Sequence, residues 1–166
     1  MEIRKYIETD AFEIIKWINN EREFRLWCAD RYDKYPIAPH DINDNYQKYL
    51  NANFHPLTLV DNNKVVGHII LRNIDDDLSS FRLGFIIIDS SIRKKGYGKK
   101  LINEAMEYAR KYLNAKSFNL GVFVNNESAL KCYESVGFVT EKIEKDAYKF
   151  YDESWDCLEM IYKGRF

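Results

Sequence analysis

Apolar positions along the 166-residue chain repeat with two periods, and the switches between them outline the elements. Residues 3–7 can form a short first strand. Thr9 or Asp10 then caps a helix whose apolar positions are Phe12, Ile14, Ile15, Trp17 and Ile18, with Glu13 placed to complete a capping box on Asp10. Asn19-Asn20 ends that pattern, and a second helical pattern starts at Asp41 with Ile42, Tyr46, Tyr49 and Leu50. Residues 57–60 and 65–71 read as two strands joined by the turn Asp61-Asn62-Asn63-Lys64. The run 83–88, within a strand over 81–88, is continuously apolar and rich in β-branched residues, the mark of a strand buried on both faces. A helix over 97–113 follows, carrying Leu101, Ile102, Ala105, Met106, Ala109 and Leu113. Then come a strand over 117–124 and a helix from Asn125 or Asn126 to Val136, with Gly137 suited to its C-terminal cap. Residues 138–143 and 154–162 make a last antiparallel pair around a charged, tyrosine-rich connection. The sum is an α+β (mixed α/β) fold: a mostly antiparallel sheet of about seven strands, with about four helices on both faces. It contains one parallel β-α-β crossover, over residues 81–124. No linker or repeat divides the chain, so residues 1–166 are expected to form one domain.

Composition narrows the function. Hydrophobic residues make up 46% of the chain, enough for a sizeable core, and the net charge is −1. That balance argues against bulk electrostatic binding of nucleic acid or of a membrane surface. No apolar run is long enough to span a bilayer, and Met1-Glu2-Ile3-Arg4 starts no signal-peptide core. The three cysteines, Cys28, Cys132 and Cys157, are widely spaced and form neither a zinc pattern nor a disulfide framework. A cytoplasmic protein is expected. Cys132 fits a small buried hydrophobe better than a nucleophile. Asp75-Asp76-Asp77 fits a solvated turn better than a metal loop, because its carboxylates do not alternate. His40, His55 and His68 form no visible catalytic array, and His68 beside Gly67 reads as structural. Residues 21–40 interleave aromatics with charges and hold Pro36 and Pro39. Phe24, Leu26, Trp27, Tyr32 and Tyr35 are individually expected to be packing residues, and the region as a whole is the candidate wall of an acceptor site.

The densest chemistry lies between the buried strand and the long helix, in Arg93-Lys94-Lys95-Gly96-Tyr97-Gly98-Lys99-Lys100. The first amides of a helix lack intrahelical partners and sit at the positive end of its dipole. Glycines let that backbone approach an anion closely, and the basic side chains add charge. The order strand, basic glycine loop, helix suits a phosphate or pyrophosphate held mainly by main chain. The loop is neither a Walker A motif nor a three-glycine dinucleotide fingerprint.

Two motifs carry a family resemblance. Arg93, Gly96 and Gly98 match the loop of the GCN5-related N-acetyltransferase (GNAT) superfamily, and Asn126, Ala129, Tyr133, Gly137 and Phe138 resemble its next motif. The C-terminal stretch over 151–160 also resembles, more loosely, the branch that contains ribosomal-protein N-terminal acetyltransferases. The resemblance implies acetyl-CoA as acyl donor, with no metal. Its pyrophosphate would sit on the amides of Lys94, Lys95, Gly96, Gly98 and Lys99 beside Arg93. Its pantetheine arm would bond main chain at Ile86 and Ile88. The Ile86 amide would stabilise the oxyanion, Asn126 would help hold the arm or a water, and Tyr133 would protonate the departing thiolate. The acceptor would be a primary amine of a small molecule or a protein N-terminus, attacking directly in a ternary complex. A homodimer is compatible. The positions where relatives carry a glutamate base hold Arg82 and Gly121 here, which leaves Asp33, Glu127, Asp152 and Glu153 as unranked candidates. That departure keeps a second reading open, a non-catalytic CoA-binding sensor on the same fold. A nucleotide- or RNA-binding module is disfavoured by the net charge.

Overall fold

The computed structural model describes residues 1–50 and 53–164. Seven strands form one sheet in the order β1-β2-β3-β4-β5-β7-β6. They are β1 (Glu2–Lys5), β2 (Phe54–Asp61), β3 (Lys64–Asn73), β4 (Ser80–Ile88), β5 (Ser117–Phe123), β6 (Phe138–Phe150) and β7 (Glu153–Tyr162). All neighbouring pairs are antiparallel except β4 and β5, which are joined by α4 (Tyr97–Leu113). Alternation sorts the side chains. Ile69, Leu71, Phe81, Leu83, Leu120 and Met160 meet α4 and α5 (Glu127–Val136) on one face. Ile70, Phe54 and Ile87 meet the N-terminal helices α1 (Ala11–Ile14), α2 (Glu21–Cys28) and α3 (Pro39–Gln47) on the other.

Five helices, rather than four, are present among the described residues. The extra one is α2. Asn20 caps it by accepting from the Glu23 amide at 2.9 Å, and Phe24, Trp27 and Cys28 supply an i, i+3, i+4 stripe that the surrounding charges obscure in the sequence. Helix α1 is a single turn between two tight 3-10 turns. The strands of the last hairpin also continue through the charged connection to a turn at Tyr151. A strand edge facing solvent on both sides tolerates charge, so hydrophobic alternation fades there while pairing persists. The expected turn at Asp75 holds: its carboxylate accepts from the Ser79 and Ser80 amides at 2.9 and 3.1 Å. No group of side chains among the described residues is arranged to hold a metal ion. No described helix is long and apolar enough to cross a membrane.

Asp10 does not cap α1. It is buried and accepts from both Arg4 guanidinium nitrogens at 2.7 and 2.8 Å, from Thr58 at 2.7 Å and from the Ile7 amide at 3.0 Å. Burial pulls its pKa upward, but these donors outweigh it and hold the carboxyl below the ordinary aspartate value. The group thereby clamps the first turn to β1 and β2. His68 is also buried, 2.6 Å from the Tyr46 hydroxyl through Nε2, and burial pushes its pKa down to about 3. It is neutral and structural, as expected.

Asp10→Ala is expected to lower stability by about 3 kcal/mol at neutral pH, measured by urea unfolding. A depressed carboxyl pKa stabilises above its unfolded value. The difference between wild type and variant should therefore shrink as pH falls through the native Asp10 pKa. A difference that stays constant with pH would mean that the charge is not what stabilises.

Candidate active site

Strands β4 and β5 pair only from Ser80–Leu83 against 117–120. Beyond Leu83, β4 stays with β3, while Gly121 to Phe123 of β5 stay with β7. The parallel pair therefore opens into a V. A register shift between His68 and Ile70 of β3 coincides with Phe85 at φ 47°, leaving Phe85 and Ile86 without cross-strand partners. Such a bulge re-aims backbone groups out of the ladder. A cleft of about 1050 Å³ runs through this opening and is lined by Gly84, Ile86, Ile88, Gly98, Asn126 and Tyr133, among others.

One mouth of the cleft is the basic loop. Buried Asp89 holds its start, accepting from the Ser91 amide at 2.9 Å and from Lys64 at 2.8 Å. Burial raises the Asp89 pKa, and the stronger combined effect of Lys64 and Ser91 holds it below the ordinary value. Lys94 (φ 64°) and Gly96 (φ 86°) are both left-handed, which gathers successive amides into a concave nest. The first helical bond of α4 is Lys100 N–H to the Gly96 carbonyl at 3.1 Å. The amides of Tyr97, Gly98 and Lys99 precede it and face the same end. Lys94 and Lys99 line the cleft, whereas Lys95 lies outside it. Arg93 also lines it, but its guanidinium is committed elsewhere: Nη2 donates to the Trp17 carbonyl at 2.8 Å and Nη1 to Glu23 at 3.3 Å. It ties the loop to the N-terminal helices.

Tyr133 projects from α5 and is buried against Phe138, yet its hydroxyl has no hydrogen-bond partner among the described residues and the side chain lines the cleft. Burial, and then Cys132, raise its pKa well above that of free tyrosine, so it carries its proton throughout the neutral range. Asn126 spends its Oδ1 on the cap of α5, 3.4 Å from the Ala129 amide, and lines the cleft beside it. Cys132 is half-buried, and burial raises its thiol pKa.

The other mouth is walled by α2 and the β6–β7 hairpin. Trp27 and Leu26 line the cleft, while Phe24 and Tyr32 are buried behind them. Arg22 reaches Glu153 at 3.0 Å and lies over Trp155, and Tyr151 donates to Glu21 at 2.8 Å, so the hairpin is fastened to α2. Asp33, Glu127, Asp152 and Glu153 do not line the cleft; its carboxylates are Glu23, Asp30, Glu144 and Glu159. Glu159 was not singled out from sequence. It binds Arg82 through both oxygens at 2.6 and 2.9 Å. A Cβ on Gly121 would stand 2.5 Å from Arg82 Nη2 and 3.2 Å from Glu159 Oε1. Arg82, Gly121 and Glu159 are thus one packed unit from three adjacent strands. Little local signal marked it, since Glu159 is one of three acidic residues in β7.

The model of the acetyltransferase (GNAT) family matches residues 14–138. The L-amino acid N-acetyltransferase of Escherichia coli is 25% identical over 164 residues, covering 97% of this chain and 95% of that one. N-alpha-acetyltransferase 30 of Xenopus laevis is 34% identical over 98 residues, but these span 57% of this chain and only 34% of that protein. The crystal structure of spermidine N-acetyltransferase from Vibrio cholerae in complex with CoA and spermine superposes with a TM-score of 0.81 at 24% identity, covering 96% of this chain and 92% of that one. The split between β4 and β5, the amide nest and the family match over three-quarters of the sequence agree: this chain belongs to the acetyltransferase (GNAT) family.

Proposed function

We propose that residues 1–166 act as one acetyl-CoA-dependent N-acetyltransferase domain, transferring acetyl directly to an amine held in the second mouth of the cleft. The observation that carries this reading is the proton-bearing hydroxyl of Tyr133, without a partner among the described residues, on a side chain that lines the same cleft as the bulge of β4. The amides of Lys94 to Lys99, with the charges of Lys94 and Lys99, form the seat for the pyrophosphate. Arg93 contributes by fixing that loop against Trp17 and Glu23. Main chain at Ile86 and Ile88 offers the pantetheine arm an added-strand partner, since β5 has already turned away. The Ile86 amide, released by the bulge, donates to the thioester oxygen as it becomes an oxyanion. The amine nitrogen bonds to the carbonyl carbon, the carbon–sulfur bond breaks, and Tyr133 gives its proton to the sulfur. The proton lost from the amine leaves through water and restores the tyrosine. Glu159 is held by Arg82 through both oxygens, so its carboxylate is engaged in that pair.

The relatives act on polyamines, amino acids or protein N-termini according to their names, and an amine is what these acceptors share. A reducing, cytoplasmic setting suits the three free thiols.

Acetyl-CoA should raise the melting temperature saturably, and a panel of amines should release free CoA thiol. Tyr133→Phe is expected to lower kcat about a hundredfold while leaving the acetyl-CoA-induced shift unchanged. Unchanged turnover in the variant would remove Tyr133 from the chemistry; stabilisation without any turnover would identify a CoA-binding sensor.

Gly96→Ala isolates the nest. No atom lies within 4 Å of the added Cβ, so the substitution acts only through the left-handed backbone, at about 1 kcal/mol. Acetyl-CoA affinity should fall about fivefold, read from the ligand dependence of melting. An undiminished affinity would show that the amide nest is not where the anion sits.

A further inference from the structure

The acceptor mouth carries one cation that no described residue neutralises. Arg72 lies near the end of β3 directly opposite Arg82 of β4, and both side chains line the cleft. Like charges in register on neighbouring strands repel each other. Arg82 is relieved by Glu159 and by Asn119 at 3.1 Å. Arg72 has no side-chain hydrogen bond or ion pair among the described residues. Burial lowers its pKa, and Arg82 and Arg31 lower it further; among its charged or titratable neighbours only Tyr49 works the other way. It remains protonated, since guanidinium does not lose its proton in proteins.

The carboxylates of the cleft are already taken. Glu159 is bound to Arg82, Asp30 lies 3.1 Å from Arg31, Glu144 is 3.3 Å from Lys142 and Glu23 is 3.3 Å from Arg93. A polycation entering this mouth would find its acids paired and Arg72 repelling it. An anion would find a planar fork of donors lining the cleft.

We propose that Arg72 anchors a carboxylate of the acceptor, so that the amine acetylated here belongs to an amino-acid-like zwitterion rather than to a polyamine. This rests on the acetyltransferase reading given above and names the substrate class of the same cleft. Arg72 recognises and positions the acceptor; it takes no part in the proton transfers. Arg82 and Glu159 form the neutral floor against which the remainder of the acceptor lies.

The test is steady-state kinetics on the full chain with acetyl-CoA and three sets of acceptors: L-amino acids, the corresponding amino-acid amides, and spermidine. The wild type is expected to prefer acids over their amides in kcat/KM. Arg72→Gln should raise KM for the best acid about tenfold to a hundredfold, while the matching amide changes less than about twofold. Arg72→Lys, which keeps the charge without the fork, should fall between. Arg72 is exposed at a strand end, so these variants are expected to keep the wild-type melting temperature, which is checked alongside. Faster turnover of spermidine or of the amides by wild type overturns the proposal. So does an Arg72→Gln defect equal for acid and amide, and so does a lack of turnover of every amino acid while acetyl-CoA still stabilises the protein. The absence of stabilisation by acetyl-CoA is a separate result, and it removes the underlying acetyltransferase reading as well.

Discussion

The site depends on one constraint: two parallel strands that pair over four residues and then part. While β4 and β5 remain together, their backbone groups satisfy each other and Leu83 and Leu120 close the core. Once they part, each has one partnered edge and one open edge, and the open edges face each other across the cleft. A sheet interior does not normally leave such edges unpaired. Here each strand retains its outer neighbour, β3 for one and β7 for the other, so the opening does not unravel the sheet. The bulge at Phe85 adds to this by turning backbone away from β3. The backbone groups that folding leaves free here are the ones the proposed function gives to the pantetheine arm.

Around this opening the protein sorts its charges into those that hold the frame and those that are left available. Asp89 with Lys64, Arg82 with Glu159 and Arg22 with Glu153 each join elements distant in sequence, and Asp10 with Arg4 ties the first turn to β1. Arg93 joins the glycine loop to α2 in the same way. Lys94, Lys99 and Arg72 are different: they line the cleft, and no ion pair engages them among the described residues. They sit at its two mouths, where an anion on the donor and an anion on the acceptor would be met.

Much of this was legible along the chain because it is local. The apolar runs over 65–71 and 83–88 and the 3.6-residue period after Gly96 each reflect a strand or helix packing into the core, and the elements follow within a residue or two. The amide nest was legible too, since glycine and lysine next to a helix start are local chemistry. Helix α2 escaped because its stripe is only Phe24, Trp27 and Cys28, set among charges whose partners lie far away in the β6–β7 hairpin. The first turn was misassigned at Asp10 for the same reason: its carboxylate bonds Arg4 and Thr58 in two strands instead of the helix beginning beside it.

By itself, the sequence determined the order of elements and the placing of a basic glycine loop at the start of a long helix, because each depends on spacings of a few residues. Only the tertiary structure decided which groups are free. Arg93 belongs to the glycine-loop motif and Arg72 to none, yet packing gives the first a carbonyl and a carboxylate and gives the second a like-charged neighbour. Gly121 and Glu159 are 38 positions apart by their numbers, and strand register makes them one unit with Arg82. Long-range pairing settles which charges are cancelled, and the charges it leaves uncancelled are the ones a substrate can meet.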